Sequence, residues 1–199
     1  MSEAEISYNE TPNFGNMLKQ IDTWDKELII WLNGWHNSTA DVLMTWASHT
    51  NIWIPFYAFL LFLLFRIMGR KGVFYILGIV LVIVLSDQFT SSFMKPYFAR
   101  LRPCHSEIAH LLALPAGCGG KFGFVSSHAA NTFALAMFWW LSLRKYYKAM
   151  YLLFFWAGIV SFSRMYLAAH YFTDVLVGGL IGVIFAYLVF KIPEKVLKI

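Results

Sequence analysis

Residues 73–94 read VFYILGIVLVIVLSDQFTSSFM. Only Asp87 carries a charge in this run, and a bilayer crossing needs roughly 20 mostly apolar residues. Four further stretches have the same character: Asn51–Leu64 continuing to Met68, the shorter His128–Leu143, Ala149–Met165 and Tyr171–Phe190. The links between them are brief, apart from one long polar segment, 95–127. Together the runs predict an all-α membrane bundle with five crossings.

Composition agrees. Hydrophobic residues make up 59% of the 199 and charged residues 14%, with a mean hydropathy of +0.58. A soluble chain carries about 25% charge, so this one cannot cover a soluble surface of its size. The same figures exclude intrinsic disorder and a small disulfide scaffold. The net charge of +5 does not point to nucleic acid, because the basic residues cap apolar runs instead of sharing a polar face.

Residues 1–50 differ from the 51–199 core. They open with Glu3, Glu5 and Glu10, and Trp24–Ala47 then mixes Trp, Leu and Ile with Asp25, Asn33, Asn37 and Asp41. This pattern predicts amphipathic helices lying in the interface, broken at Asn33-Gly34. A sixth crossing there would bury Asp41 or several asparagines. The segment has no basic stretch ahead of a short apolar core, so no cleavable signal peptide is expected. Asn37-Ser38-Thr39 is a glycosylation sequon by pattern alone.

Three basic clusters fall on one side when the crossings are counted: Arg66, Arg70, Lys71; Arg144, Lys145, Lys148; and Lys191, Lys195, Lys198. These nine of 16 Lys and Arg mark that side, and the C-terminus, as cytoplasmic in an inner or plasma membrane. The N-terminal segment, the 95–127 loop and the 167–171 turn then face the periplasm or exterior. Cys104 and Cys118 share that outer loop, where an oxidising environment favours a disulfide over two free thiols.

The outer ends of the crossings carry Lys95, Arg102, His128, Arg164, His170 and Asp174. Three cations, two imidazoles and one acid at a single depth suit a site that holds an anion and moves protons. His170 and Asp174, at i and i+4, share a helix face, so the carboxylate can fix the imidazole tautomer. Ser126 and Ser127 precede His128 as helix-capping residues, where free N–H groups meet anions. Each feature has an ordinary reading: a cap, an interfacial histidine, a headgroup anchor. Their convergence on one face does not.

Taken together, Lys95-x6-Arg102-Pro103, Val125-Ser126-Ser127-His128 and Ser163-Arg164-x5-His170-x3-Asp174 resemble the three-part signature of the type 2 phosphatidic acid phosphatase superfamily, in its membrane-integrated lipid phosphate phosphatase branch. The middle motif departs from the family's Pro-Ser-Gly-His, with Val125 for Pro and Ser127 for Gly, and Ser accepts close backbone approach less readily. The resemblance implies that His170 takes the phosphoryl group as a phosphohistidine, that Asp174 orients it, and that His128 protonates the leaving group. It implies that Lys95, Arg102, Arg164, Ser126 and Ser127 hold the phosphoryl oxygens, with no metal or other cofactor.

Asp87 and Arg100 stand outside the motifs as supporting candidates. His105, His110, Glu107 and Lys121 read as loop surface, and His36 and His49 as interfacial. Gly178, Gly179 and Gly182 suit close helix packing. The substrate implied is a lipid phosphate or diphosphate: undecaprenyl diphosphate first, with phosphatidylglycerol phosphate, phosphatidic acid and lipid A phosphate open, and no protein partner. A non-enzymatic protein that binds or transports an anionic lipid would need the cations but not the histidines and Asp174. Vanadate-dependent haloperoxidase chemistry belongs to a soluble branch, against which the apolar runs argue.

Overall fold

The computed structural model describes residues 13–197, and the regular elements among them are all helices. Glu3, Glu5, Glu10 and Lys198 lie outside the described residues.

Helix α1 (Phe14–Asn33) starts where Asn13 accepts the Asn16 N–H at 2.8 Å, and it ends at Gly34. Helix α2 (Ser38–Ser48) is capped by Asn37, which accepts from Ala40 at 3.0 Å, so the sequon asparagine serves as a helix cap. Helix α3 (Ile54–Met68) carries Pro55 in its first turn, where a missing N–H costs nothing, and stops at Gly69 with φ of 53°. Helix α4 (Gly72–Gln88) runs into a π-helical turn, Phe89–Met94, and then into the short α5 (Lys95–Phe98). After the outer loop come α6 (Ser127–Leu143), α7 (Leu152–Tyr166) and α8 (Phe172–Leu197).

Each apolar run of the sequence lies on a helix. Three helical stretches are long and apolar enough to cross a bilayer: Thr50–Phe98, Lys148–Tyr166 and Phe172–Ile192, with mean hydropathies of 2.1, 1.2 and 2.4. The first has 49 residues, more than twice a single crossing, and the positive-φ Gly69 divides it. Large apolar side chains such as Phe59, Phe62, Val80, Leu180 and Leu188 stay more than half exposed, as lipid-facing residues would be. One boundary differs from the sequence reading. The helix continues past Lys95 to Phe98, because the π turn lets Pro96 enter at the start of a fresh turn, and the polar loop begins at Ala99, with φ of 47°.

Helix α6 sits at the centre, packed by α4, α7 and α8. The α6–α8 seam depends on small residues. A Cβ on Gly182 would stand 2.0 Å from the Ala130 carbonyl oxygen, and one on Gly178 would stand 2.5 Å from that of Ser126. Helix α1 joins at the end of the bundle where α8 begins, through Ile29, Leu32 and the buried Asn33. The Asn33 amide donates to the Ala113 and Tyr166 carbonyls at 2.9 and 3.0 Å and accepts from the Ala113 N–H at 2.7 Å. Trp24, Trp31 and Trp35 remain exposed around this segment.

Gly182→Ala should cost about 1–3 kcal/mol, since backbone cannot move aside for the new methyl. Gly158→Ala on α7, where a Cβ meets nothing within 4 Å, should be neutral or stabilising. Thermal unfolding of both variants in detergent checks the contrast.

Candidate active site

The outer loop positions two arginines by pairing with itself. Arg102 N–H donates to the Lys121 carbonyl at 3.1 Å and Gly123 N–H to the Arg100 carbonyl at 2.8 Å, a single antiparallel bridge that joins Leu101 to Phe122. In extended backbone, positions i and i+2 face the same way, so Arg100 and Arg102 both turn toward the start of α8. A Cys104–Cys118 disulfide, with Cα atoms 5.9 Å apart, closes the loop. The Cys104 N–H donates to the Ala168 carbonyl at 3.3 Å, which ties the loop to the α7–α8 turn. His105 stands beside the two cysteines, but both sulfurs are committed to the bridge.

Arg102 donates through Nε to the Phe122 carbonyl at 3.2 Å. Its Nη1 lies 2.7 Å from where a Cβ on residue 119 would stand, so glycine at that position makes room for the guanidinium. Burial lowers the Arg102 pKa from its usual value, against the pull of Asp174.

The π turn brings three polar side chains to one hydroxyl. Ser127 Oγ accepts from Lys95 Nζ at 2.8 Å and from Thr90 Oγ1 at 2.9 Å, and it lies 3.1 Å from Ser91 Oγ. Ser126 has a different task. It is fully buried, its Oγ caps α6 at the Ala129 N–H at 3.4 Å, and its own N–H donates to the Asp174 carbonyl at 3.0 Å.

The α7–α8 turn folds around the Arg164 carbonyl, which accepts the Ala169 and His170 N–H groups at 2.9 and 3.2 Å. The Arg164 guanidinium hydrogen-bonds Ser48 Oγ. His170 is 1% exposed and Asp174 fully buried, with His170 Nδ1 3.5 Å from Asp174 Oδ2. That is ion-pair range without hydrogen-bond alignment. Asp174 Oδ2 accepts the Tyr171 N–H at 3.0 Å, and Oδ1 accepts Arg100 Nη1 at 3.0 Å. Burial pushes the His170 imidazole down to about 4, against the pull of Asp174, so the ring is neutral near pH 7.

A cavity of about 520 Å³ joins these parts. Lys95, Arg102, Ser127, His128 and His170 line its outer end. Asp87, Asn131 and Thr132 line its deeper wall, and Asp87 Oδ1 accepts from Asn131 at 3.2 Å. Asp174 stands behind His170, and Arg164 adjoins the cavity through Ser48. Ser126 is occupied as a cap, and Arg100 is engaged with Asp174, Asp22 and Asp25. The acids of α1 and Ser48 carry no motif; their polar character within a Trp-rich run is the only trace of them in the sequence. The arrangement suits a tetrahedral oxyanion held by cations beside two imidazoles, one of them fully enclosed.

A sequence model of the PAP2 superfamily matches residues 76–198. A lipid A 4'-phosphatase of Bacteroides thetaiotaomicron is 36% identical over 183 residues, which span 90% of this chain and 81% of that protein. A lipid A 4'-phosphatase of Porphyromonas gingivalis is 31% identical over 173 residues, 84% of this chain and 72% of the relative. The crystal structure of Aquifex aeolicus LpxE superposes with a TM-score of 0.60 at 26% identity, covering 83% of this chain and 93% of the other. A transmembrane PAP2 type phosphatidylglycerolphosphate phosphatase from Bacillus subtilis superposes at 0.66 with 21% identity, over 88% and 87% of the two chains, a likeness of fold.

Inorganic phosphate should raise the thermal midpoint of the unmodified protein, and Lys95→Ala and Arg102→Ala should each remove most of that rise. Separately, Cys118→Ser should lower stability by about 3 kcal/mol, the loop-closure contribution for a bridge of this span, as read by thermal unfolding.

Proposed function

The chain belongs to the PAP2 superfamily and is a phosphoric-ester hydrolase, and from that premise we propose that it removes a terminal phosphate from a membrane lipid through a phosphohistidine intermediate. The observation that carries this reading is the buried His170, backed by Asp174 and lining a cavity together with Lys95, Arg102 and His128.

In the first step Nε2 of His170 attacks phosphorus. A P–N bond forms as the P–O bond to the lipid breaks, and His128, protonated once the phosphate's negative charge is bound beside it, gives its proton to the departing oxygen. Lys95, Arg102 and Arg164 hold the equatorial oxygens, with Ser127 steering Lys95 by the bond they share. Asp174 stabilises the cationic ring of the phosphohistidine. In the second step His128, now neutral, takes a proton from water; the hydroxide forms a P–O bond as the P–N bond breaks and its electron pair returns to Nε2 of His170, inorganic phosphate leaves, and both histidines return to their starting states. The three fixed cations supply the charge that a metal would otherwise supply.

The five-crossing topology belongs to this proposal. Arg66, Arg70, Lys71, Arg144, Lys145 and Lys148 sit at helix ends opposite those bearing Lys95, His128 and His170. This supports a cytoplasmic basic side and a cavity that opens toward the periplasm or exterior. Helices α1 and α2, with their exposed tryptophans, would then lie in the outer interface. Among candidate lipids, the two relatives named lipid A 4'-phosphatase favour a lipid A phosphate. Undecaprenyl diphosphate rests on the compactness of the chain alone.

Purified protein assayed with EDTA against a side-by-side panel of lipid A, undecaprenyl diphosphate, phosphatidylglycerol phosphate and phosphatidic acid should release phosphate, fastest from lipid A. His170→Ala should lower the rate about a thousandfold or more while the protein stays folded. Lipid binding without phosphate release in the unmodified protein would defeat the reading, and full activity in His170→Ala would remove the assigned nucleophile.

A further inference from the structure

Asp25 of α1 is 3% exposed, and a buried carboxylate is costly unless its oxygens are satisfied. Its hydrogen-bond partners, Arg100 and Thr173, lie beside the candidate site. Oδ1 accepts the Thr173 N–H at 3.1 Å, one of the free donors in the first turn of α8. Oδ2 accepts Arg100 Nη2 at 2.9 Å and also the Thr173 hydroxyl. A residue of the first helix thus caps the helix that bears Asp174.

Arg100 carries the contact onward. Its Nη1 donates to Asp174 Oδ1 at 3.0 Å and to Thr173 Oγ1 at 2.7 Å, its Nη2 also reaches Asp22 at 3.0 Å, and its plane rests on the Tyr171 ring, 4.2 Å from the centroid. A guanidinium is a rigid fork, so anchoring one prong sets the direction of the other. The Asp174 carboxylate is divided between two partners: Oδ1 toward the Arg100 guanidinium and Oδ2 toward the His170 imidazole. Where Arg100 points therefore decides how much of Asp174 is left for the imidazole. Without Asp25, the Nη2 prong keeps only the more exposed Asp22, so Arg100 can turn further onto Asp174 and draw the carboxylate away from His170.

We infer that Asp25 is a positioning residue for phosphoryl transfer, which acts through Arg100 to hold Asp174 in register with His170. The inference rests on the phosphatase reading for its rate consequences and on geometry alone for its effect on His170. Asn33 provides the control. It is a buried polar residue of the same helix, 2% exposed, and it binds Ala113 and Tyr166, neither of which lines the cavity. A purely adhesive role for α1 predicts the same outcome for both positions.

The test compares Asp25→Ala, Asp25→Asn and Asn33→Ala in full-length protein labelled with 15N-histidine, with the His170 resonances assigned by their loss in His170→Ala. Asp25→Ala should shift the His170 nitrogen resonances and lower kcat about 10–100-fold, with KM within about twofold. Asp25→Asn keeps a neutral acceptor for Thr173 and should fall between, which preserves the test if the alanine variant does not fold. Asn33→Ala should lose thermal stability while its His170 resonances and kcat stay near those of the unmodified protein. Unmoved His170 resonances in the Asp25 variants, or equal movement in Asn33→Ala, overturn the inference. Absence of turnover in the unmodified protein would instead defeat the phosphatase reading, with the resonances still deciding the role of Asp25.

Discussion

A carboxylate shut away from water governs the outer half of this molecule. Asp174 has no exposed surface, so its charge must be met by protein. The Tyr171 N–H, Arg100 and His170 meet it from three directions. Each of those partners fixes a different piece of chain: the α7–α8 turn, the outer loop and the imidazole facing the cavity. The Asp174 main chain adds a fourth tie, because its carbonyl accepts the N–H of Ser126 and so locks the start of α6 to the start of α8. The helix that carries His128 and the turn that carries His170 are therefore registered at the level where the chemistry would occur.

Below that level the constraint changes from charge to contact. In a bilayer no hydrophobic force drives helices together, so close backbone approach and dispersion must do it. The glycine face of α8 against α6 answers that need, and the aromatic cluster of Trp53, Phe56, Tyr57 and Trp156 fills the wall between α3 and α7. Lys95 illustrates how the two levels meet. The π turn before it adds a residue to the winding of α4 and sets Thr90, Ser91 and Lys95 around a single hydroxyl of α6.

Much of this was legible in the sequence, for a physical reason. Lipid tolerates few interruptions in an apolar run, so the runs announce the helices, and polar residues at their ends stand out. Lys95, Arg102, His128, His170 and Asp174 could be picked out for that reason, and five side chains from four parts of the chain meet around one cavity and its wall. What stayed hidden depends on pairings with no local signal. Arg100 reaches acids 75 and 78 positions away, and Asn33 clamps a loop 80 positions away. Asp25 looks like any polar residue on an amphipathic helix. Ser126 and Ser127 are adjacent, yet only the coordinates separate the one that caps a helix from the one that faces the cavity.

The glycine seam has a consequence for how such a molecule can diversify. Residues 178 and 182 of α8 leave no space for even one added carbon, so drift along that interface is closed. The flank of the cavity where Trp53 and Tyr57 of the α3 region stand is built of large side chains, packed on Trp156, that can become smaller without a backbone clash. The shape of the cavity can therefore change from that flank, while the α6–α8 pair accepts no added side-chain atom at positions 178 and 182.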